Sequence, residues 1–338
     1  MVRVRFAPSP TGSLHVGNAL SAVINRREGD WMLLRVDDTD PARNILGGEE
    51  AILSDLGWLA VEWDEGPLRQ STRQDRYREA AEQIGTDRFE GITLLRDDGS
   101  ATYHLASVVD DADFGITHVF RGNDHRPNEA LHRHLHEALG TQPPEYVHHG
   151  LILGEDGKKL SKRAAGATVA SLRELGLPAE SVRAYLEELG LPRHDVHYDL
   201  QRLRRLAVDA LGALRDDVLA ERVGAPLEVV PAMRGARDLV EARAIADSIL
   251  SAPKPQATNS PETLNRFREL RERANGQLDP AGAKELLREL KAVGGDLRAL
   301  RLALTGAERG PELWTVLVAL PREEALRRVD GGRSSARL

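Results

Sequence analysis

Two stretches of the chain carry residues whose types and spacing could do chemistry. In "RFAPSPTGSLHVGNAL", residues 5–20, His15 stands ahead of Gly17 and behind a turn of Pro8, Ser9, Pro10, Thr11 and Gly12. The prolines fix their own φ and push their neighbours toward extended geometry, so Ser9 and Thr11 are held in place. Gly12 and Gly17 let the backbone approach something bulky, and a helix opening near Gly17 aims N–H groups and a positive dipole end at the turn. That is a cradle for a phosphate. An ordinary tight turn has the same composition, and a single histidine is most often structural. The second stretch, "GEDGKKLSKRAAG" at residues 154–166, is punctuated by glycine and places Lys158, Lys159, Lys162 and Arg163 around Ser161. A solvated basic loop reads equally well from these residues. A cationic loop is also what a triphosphate needs while charge builds on the phosphate under attack, because lysines stabilise that charge as point donors.

Elements that position such residues can be read around them. Val2–Phe6 alternates like a strand and Ala19–Ile24 supplies the apolar positions of a helix. Strands near 2–6, 31–36, 101–109 and 116–121, alternating with helices near 17–27, 47–56, 72–84 and 127–139, predict an open parallel α/β sheet. Ligand then lies at the carboxyl ends of the strands. The absence of G-x-G-x-x-G disfavours a dinucleotide-binding enzyme. Beyond the lysine loop the apolar spacing is helical at 178–189, 198–214, 237–250, 262–275, 281–293 and 311–319. A Pro-rich connector at 251–262 ends in Ser260 as N-cap and Pro261 at the first helical position. Leu264, Phe267 and Leu270 form the buried stripe of the helix that follows, with Arg266, Arg268, Arg271 and Arg273 mostly on its other face. Asp279-Pro280 caps the next helix, Gly294-Gly295 stops it, and the polar tail from Gly331 is expected to be disordered.

Composition bounds the possibilities. At 338 residues the chain is long enough for two or three domains, and with 41% apolar residues it is expected to be a well-packed soluble protein without a membrane span or signal peptide. It has no cysteine, which excludes disulfides and thiolate zinc sites and fits a reducing compartment. The net charge of −7, from 46 basic and 53 acidic residues, argues against a nonspecific nucleic-acid binder while leaving room for a local basic face. His125, His132, His134, His136, His148 and His149 crowd one region, and His132 with His136 has the helical spacing of a metal pair. Without a glutamate between them in zincin order, no metal site is predicted.

The two stretches together resemble the signature motifs of the glutamyl-tRNA synthetase family. Pro8-Ser-Pro-Thr-Gly-Ser-Leu-His15-Val-Gly17-Asn18 is similar to the HIGH region of class I aminoacyl-tRNA synthetases, and Lys159-Leu-Ser-Lys162-Arg163 to their KMSKS loop. The Arg-Phe-Ala-Pro-Ser-Pro-Thr-Gly lead is of the glutamyl kind. In family order, "LLRVDDTDPAR" (33–43), "WDEGP" (63–67), "DDGSATYHLASVVDDADFGITHVFRGNDH" (97–125), "LPAESVRAYLEELG" (177–190) and "LRLALTGAERGPEL" (300–313) each resemble a segment of that family.

The resemblance implies a Rossmann-like α/β catalytic domain of the class I kind over 1–165, with a shortened insertion at about 68–100, followed by an all-α C-terminal region. That region would comprise a stem-contact-like domain at 166–250, an anticodon-binding-like domain at 251–330, and a tail at 331–338. It implies that His15, Lys159 and Lys162 are catalytic, and that His15, Gly17, Asn18, Lys159, Ser161 and Lys162 contact ATP. Arg5, Ser9, Asp37, Tyr103 and Arg121 would hold glutamate, and His125 would approach the nucleotide. ATP with Mg²⁺, L-glutamate and tRNA, most simply tRNA-Glu, are the implied partners of a cytoplasmic monomer, with no zinc and no membrane. Two alternatives stay open. One is a ligase that delivers glutamate to a modified tRNA base or a non-tRNA acceptor, and the other is a non-catalytic tRNA-binding or regulatory relative. Three features depart from the family pattern: the trimmed insertion, Asp37 where a glutamate is usual, and Ser107 where a larger residue is common. The second anticodon-binding helical unit of the family is also missing.

Overall fold

Parallel strands with helices between them put their carboxyl ends along one edge, and the amino-terminal part of the chain is built this way. The computed structural model describes residues 1–161, 164–251, 253 and 260–334. They fall into two units, Met1–Leu175 with Ala179–Leu203, and Gly176–Pro178 with the chain from Arg204 onward.

In the first unit β1 (Arg3–Phe6), β2 (Trp31–Val36) and β3 (Glu65–Arg69) form a parallel sheet in that order. Helix α1 (Val16–Glu28) links the first pair and α2 (Gly48–Trp58) the second. Helix α3 (Gln74–Ile84), a small hairpin of β4 (Arg88–Phe89) and β5 (Ile92–Thr93), and α4 (Tyr103–Asp113) come next. Then β6 (His118–Gly122) and β7 (Glu145–His149) pair in parallel around α5 (Glu129–Ala138). β6 lies beside β1, where the Thr117 amide donates to the Arg3 carbonyl at 2.9 Å. Short strands β8 (Ile152–Leu153) and β9 (Val196–His197) bracket α6 (Val169–Glu174) and α7 (Ala179–Leu189).

The expected strand at 101–109 is helix α4 instead. Val108 and Val109 lend that segment strand character, but Leu105, Ala106, Val108 and Val109 are buried together with Tyr77, Ala80 and Leu135, and this packing overrides propensity. β3 and β7 were not anticipated, because "EGPLR" and "EYVHH" lack a clear apolar alternation.

The turn of residues 7–14 is held from several sides. Pro8 and Pro10 carbonyls accept from the amides of Asp37 (3.0 Å) and Ile45 (3.1 Å). A Cβ on Gly48 would fall 2.3 Å from the Pro10 oxygen, so only glycine lets α2 begin against the turn. From α2, Asp55 accepts from the Ser13 hydroxyl at 2.7 Å and the Leu14 amide at 2.8 Å, and Arg173 reaches its other oxygen at 3.2 Å.

His132 and His136 of α5 turn inward. His132 Nε2 lies 3.1 Å from His104 Nδ1, and His136 Nδ1 lies 2.9 Å from Thr141 Oγ1. Burial, helped by the nearby Arg121 charge, pushes His132 down to about 2.

The second unit is helical. Helix α8 (Leu200–Ala213) leads into it, followed by α9 (Asp216–Val223), α10 (Val230–Met233), α11 (Leu239–Leu250), α12 (Pro261–Arg273) and α13 (Pro280–Ala292). Helices α14 (Leu297–Thr305), α15 (Leu313–Ala319) and α16 (Arg322–Ser334) complete it. Leu264, Phe267 and Leu270 do enter the core, beside Leu290, Leu300 and Val316. Arg271 is a correction: it is buried rather than solvated, because it follows Phe267 by one helical turn, and its guanidinium donates to the Ala274 and Gly276 carbonyls at 3.1 and 2.9 Å. Ser260 takes the N-cap and Pro261 the first position as expected, with the Ser260 hydroxyl reaching Asp296 at 3.3 Å rather than the helix amides. Asp279 caps α13 through the Gly282 amide at 2.7 Å. The chain from Gly331 to Ser334 continues α16 instead of opening a tail, while 335–338 and most of the 251–262 connector lie outside the described residues.

Asp55→Ala leaves the buried Leu14 amide without its acceptor and is expected to cost about 3 kcal/mol, measured by denaturant unfolding of the full chain. A pH dependence follows from the buried histidines. A histidine held neutral in the fold is protonated on unfolding below about pH 6.5, so its contribution is complete above that pH and is lost as pH falls. The unfolding temperature should drop from pH 7.5 to 5.5. In His132→Gln the matching loss of unfolding free energy should be smaller, by about 1.4 kcal/mol per pH unit of titration removed.

Candidate active site

The carboxyl ends of β1, β2 and β6 deliver arginines and a carboxylate to one place. Period-two alternation sends Arg5 of β1 away from Val4 and Phe6, sends Arg35 and Asp37 to one side of β2, and sends Arg121 of β6 to the same region. A cavity of about 630 Å³ opens there. Arg5, Ser9, His15, Gly17, Asn18, Asp37, Tyr103, Arg121 and Lys159 all line it, as does His125. Of the other expected site residues, Ser161 is not on its wall and Lys162, with Arg163, lies outside the described residues.

His15 is the N-cap of α1, and its Nδ1 accepts from the Gly17 amide at 3.1 Å. The Gly17 N–H is therefore engaged by the histidine, and Asn18 is the exposed member of that first turn. The lysine stretch is joined to this same turn through the backbone. Val16 donates to Ala167 and Val169 donates to Leu14, each at 2.9 Å, so the chain leaving the loop runs beside the histidine. On its other side the loop folds back as Gly154 donates to Lys158 at 2.8 Å and Leu160 to Ile152 at 3.0 Å. Lys159 Nζ lies 2.5 Å from Asp124, in the turn after β6. Burial disfavours the Asp124 charge, but Lys159 and His125 outweigh it and hold the carboxyl below its usual range.

Arg35 was not singled out from the sequence, yet it is a fully buried charge beside the cavity. Its Nε donates to Asp37 at 2.7 Å and its Nη1 to Asp111 at 2.8 Å, with Asp110 at 3.7 Å. Burial alone would lower its pKa; the three carboxylates outweigh that and raise it well above the usual value. Ser107, one turn before Asp111 on α4, lies 3.4 Å from Arg35 Nη2, and its short side chain leaves room for the guanidinium. Asp111 also lies 3.4 Å from Arg5 Nε. Asp110 collects Tyr77 at 3.0 Å, Gln70 at 2.9 Å and Arg73 at 2.9 Å. Two clues to this group were present in the sequence: Arg35 and Asp37 share a strand face, and Asp110-Asp111 is an acidic pair inside an apolar run.

Around this centre Arg5, Arg35 and Arg73 are matched by Asp37, Asp110 and Asp111. Arg121 is the buried arginine of this wall that has no carboxylate partner among the described residues. It is 5% exposed, its guanidinium sits 4.7 Å over the Tyr146 ring, and its Nε donates to His148 Nε2 at 3.2 Å. Among the described residues neither of its terminal nitrogens has a hydrogen-bond partner. Burial, and then the charge of Arg5, push its pKa down, the signature of a cation that an anion would stabilise. Tyr103, beside Asp37 and Arg121, is kept neutral by burial.

The sequence matches the family described as tRNA synthetases class I (E and Q), catalytic domain, over residues 1–87 and 83–203, a span that ends where the first unit ends. It is similar to a glutamate–tRNA ligase 1 of Rubrobacter xylanophilus, 32% identical over an alignment of 424 positions covering 99% of this chain and 98% of the relative. It is also similar to a glutamate–tRNA ligase of Akkermansia muciniphila, 31% identical and covering 97% and 98% of the two chains. In fold it is similar to the crystal structure of a glutamate tRNA ligase from Elizabethkingia meningosepticum in complex with its amino acid, with a TM-score of 0.78, 23% identity and coverage of 99% and 100%. A fold that brings the His15 turn and Lys159 to one cavity at the carboxyl edge of its parallel strands is matched over its whole first unit by one family: this chain belongs to the class I (E and Q) tRNA synthetases.

Proposed function

We propose that this chain is a glutamate–tRNA ligase, which uses ATP to form glutamyl-adenylate and passes the glutamyl group to the 3′ end of tRNA-Glu. The observation that carries the choice of amino acid is the uncompensated guanidinium of Arg121 in a cavity shared with Arg5, Asp37, His15 and Lys159. Glutamate brings two carboxylates and one ammonium, a net charge of −1 that complements one surplus cation. Glutamine is net neutral and would leave a buried arginine underpaired. In this reading Arg5 and Arg121 hold the carboxylates, Asp37 with Tyr103 and Ser9 holds the amino end, and the Asp37 carboxylate is kept in place by Arg35.

The chemistry is two acyl-transfer steps that need positioning and charge neutralisation more than a side-chain nucleophile. An α-carboxylate oxygen of glutamate attacks the α-phosphorus of ATP and pyrophosphate leaves. A hydroxyl of the terminal adenosine of tRNA then attacks the mixed anhydride and AMP leaves. We assign His15, with Gly17 and Asn18, to the phosphates at the α1 terminus, and Lys159, Ser161 and Lys162 to the pyrophosphate that departs. Mg²⁺ would travel with the nucleotide and neutralise phosphate charge. Among the described residues no group of three His, Asp or Glu side chains could hold a metal ion by itself. The helical regions at 166–250 and 251–330 are proposed to contact the tRNA stem and anticodon, with the enzyme acting as a cytoplasmic monomer. Separately, no helix among the described residues is long and apolar enough to cross a membrane.

Glutamate-dependent ATP–pyrophosphate exchange with and without tRNA, followed by charging, tests the reading. The expected result is exchange that requires tRNA, with acid-labile glutamate ending on it. Exchange without charging would point to another acceptor, and no exchange by folded protein would leave a binding role. Arg121→Gln should raise the glutamate KM by about 100-fold, the loss of one charge-assisted pair. Lys159→Ala should instead slow adenylate formation by about 100-fold while leaving glutamate affinity nearly unchanged, and equal losses in both would overturn that assignment.

A further inference from the structure

An arginine that recognises a substrate carboxylate must be held rigidly without being neutralised by whatever holds it. Protein carboxylates are the usual partners of a buried guanidinium, and each one cancels the charge that the substrate is meant to meet. At Arg121 the partner is an imidazole. Arg121 and His148 face each other across the parallel pair β6 and β7, in direct register. The Arg121 Nε donates to His148 Nε2 at 3.2 Å, and this requires that nitrogen to be unprotonated. The ring proton then sits on Nδ1, which lies 3.5 Å from Glu129 Oε2. Glu129 favours that tautomer and is itself anchored by Arg133 Nε at 2.9 Å. The His148 side chain is 2% exposed, so water does not substitute for it. Burial and the cations Arg121 and Arg126 push the imidazole down to about 4, against the pull of Glu129.

We propose that His148 is a positioning residue for amino-acid recognition: a neutral acceptor, oriented by Glu129, that locks the Arg121 guanidinium by its Nε and leaves both terminal nitrogens for a bidentate substrate carboxylate. The Tyr146 ring completes the lock by supporting the guanidinium face at 4.7 Å. This arrangement fixes geometry while keeping a full positive charge at the cavity wall. It deepens the glutamate reading above and rests on it.

Three substitutions separate the acceptor from its charge. His148→Gln keeps a neutral acceptor, His148→Leu removes it at similar bulk, and His148→Glu keeps an acceptor but neutralises Arg121. Steady-state ATP–pyrophosphate exchange with tRNA present, varying glutamate and ATP in turn, gives the result expected here: His148→Leu and His148→Glu raise the glutamate KM by about 10-fold or more. Their kcat and ATP KM should stay within about 3-fold of wild type, and His148→Gln should stay near wild type throughout. Wild-type glutamate KM in both the Leu and Glu variants, or a Gln variant as impaired as Leu, overturns the positioning role while the ligase reading stands. An ATP KM that rises with the glutamate KM shows a merely structural role and also overturns it. Absence of glutamate-dependent exchange in the wild type removes the ligase reading and this inference together. If the Leu variant does not fold, the contrast between Gln and Glu decides the matter.

Discussion

One buried guanidinium organises the catalytic unit. Arg35 leaves β2 fully enclosed and meets Asp37 just past the end of that strand and Asp111 on α4, with Asp110 slightly farther away. A charge so placed is tolerable only if it is surrounded by opposite charge and hydrogen bonds, because desolvation is otherwise prohibitive. Meeting that condition draws α4 onto the sheet and draws Asp37 to the cavity edge. Asp111, shared between Arg35 and Arg5, then sets Arg5 on the cavity wall from behind. The acid–base pairs serve as geometry more than as net stabilisation, since buried pairs roughly break even against apolar packing.

The same network explains how the segment between β3 and α4 is held to the sheet. Asp110 is the common acceptor for Gln70, Arg73 and Tyr77, so the start of the short segment between β3 and α4 is bolted to α4 by one carboxylate. Arg73 and Arg76 add pairs to Asp113 one turn later. Tyr77, Ala80 and Ala81 of α3 share a core with Leu105 and Val109, so apolar burial and the carboxylate act on the same two helices. The hairpin of β4 and β5 lies beyond them. The segment therefore supports the cavity wall from behind.

Charge arithmetic around the cavity has a functional reading. Arg5, Arg35 and Arg73 are matched by Asp37, Asp110 and Asp111, whereas Arg121 is held by an imidazole and an aromatic face instead of a carboxylate. In a low-dielectric wall an uncompensated cation is a strong demand for an anion. The rim works in the opposite way. Lys159 is already paired with Asp124 at 2.5 Å, so a phosphate that recruits this lysine must compete with a partner of the same protein.

Much of this was legible in the linear sequence, because it depends on local chemistry. Pro8, Pro10, Gly12 and the spacing of His15 and Gly17 announced a rigid turn into a helix, and His15 is indeed the N-cap. The glycine-bounded lysine stretch announced a cationic loop, and the helical periods of the second half located α11, α12 and α13 within a few residues. The 101–109 segment went wrong because valines favour strands locally while burial against α3 and α5 favours a helix. Arg271 went wrong because a guanidinium can be buried wherever carbonyls at a helix end accept its protons. Pairings between residues far apart in sequence had no local signal at all: Arg35 with Asp111, Asp55 with the turn at Leu14, Lys159 with Asp124, and Arg121 with His148. Residue type and spacing determined which groups could act. The tertiary structure decided which of them are neutralised and which are left charged, because desolvation and partner choice exist only once distant strands and helices are brought together.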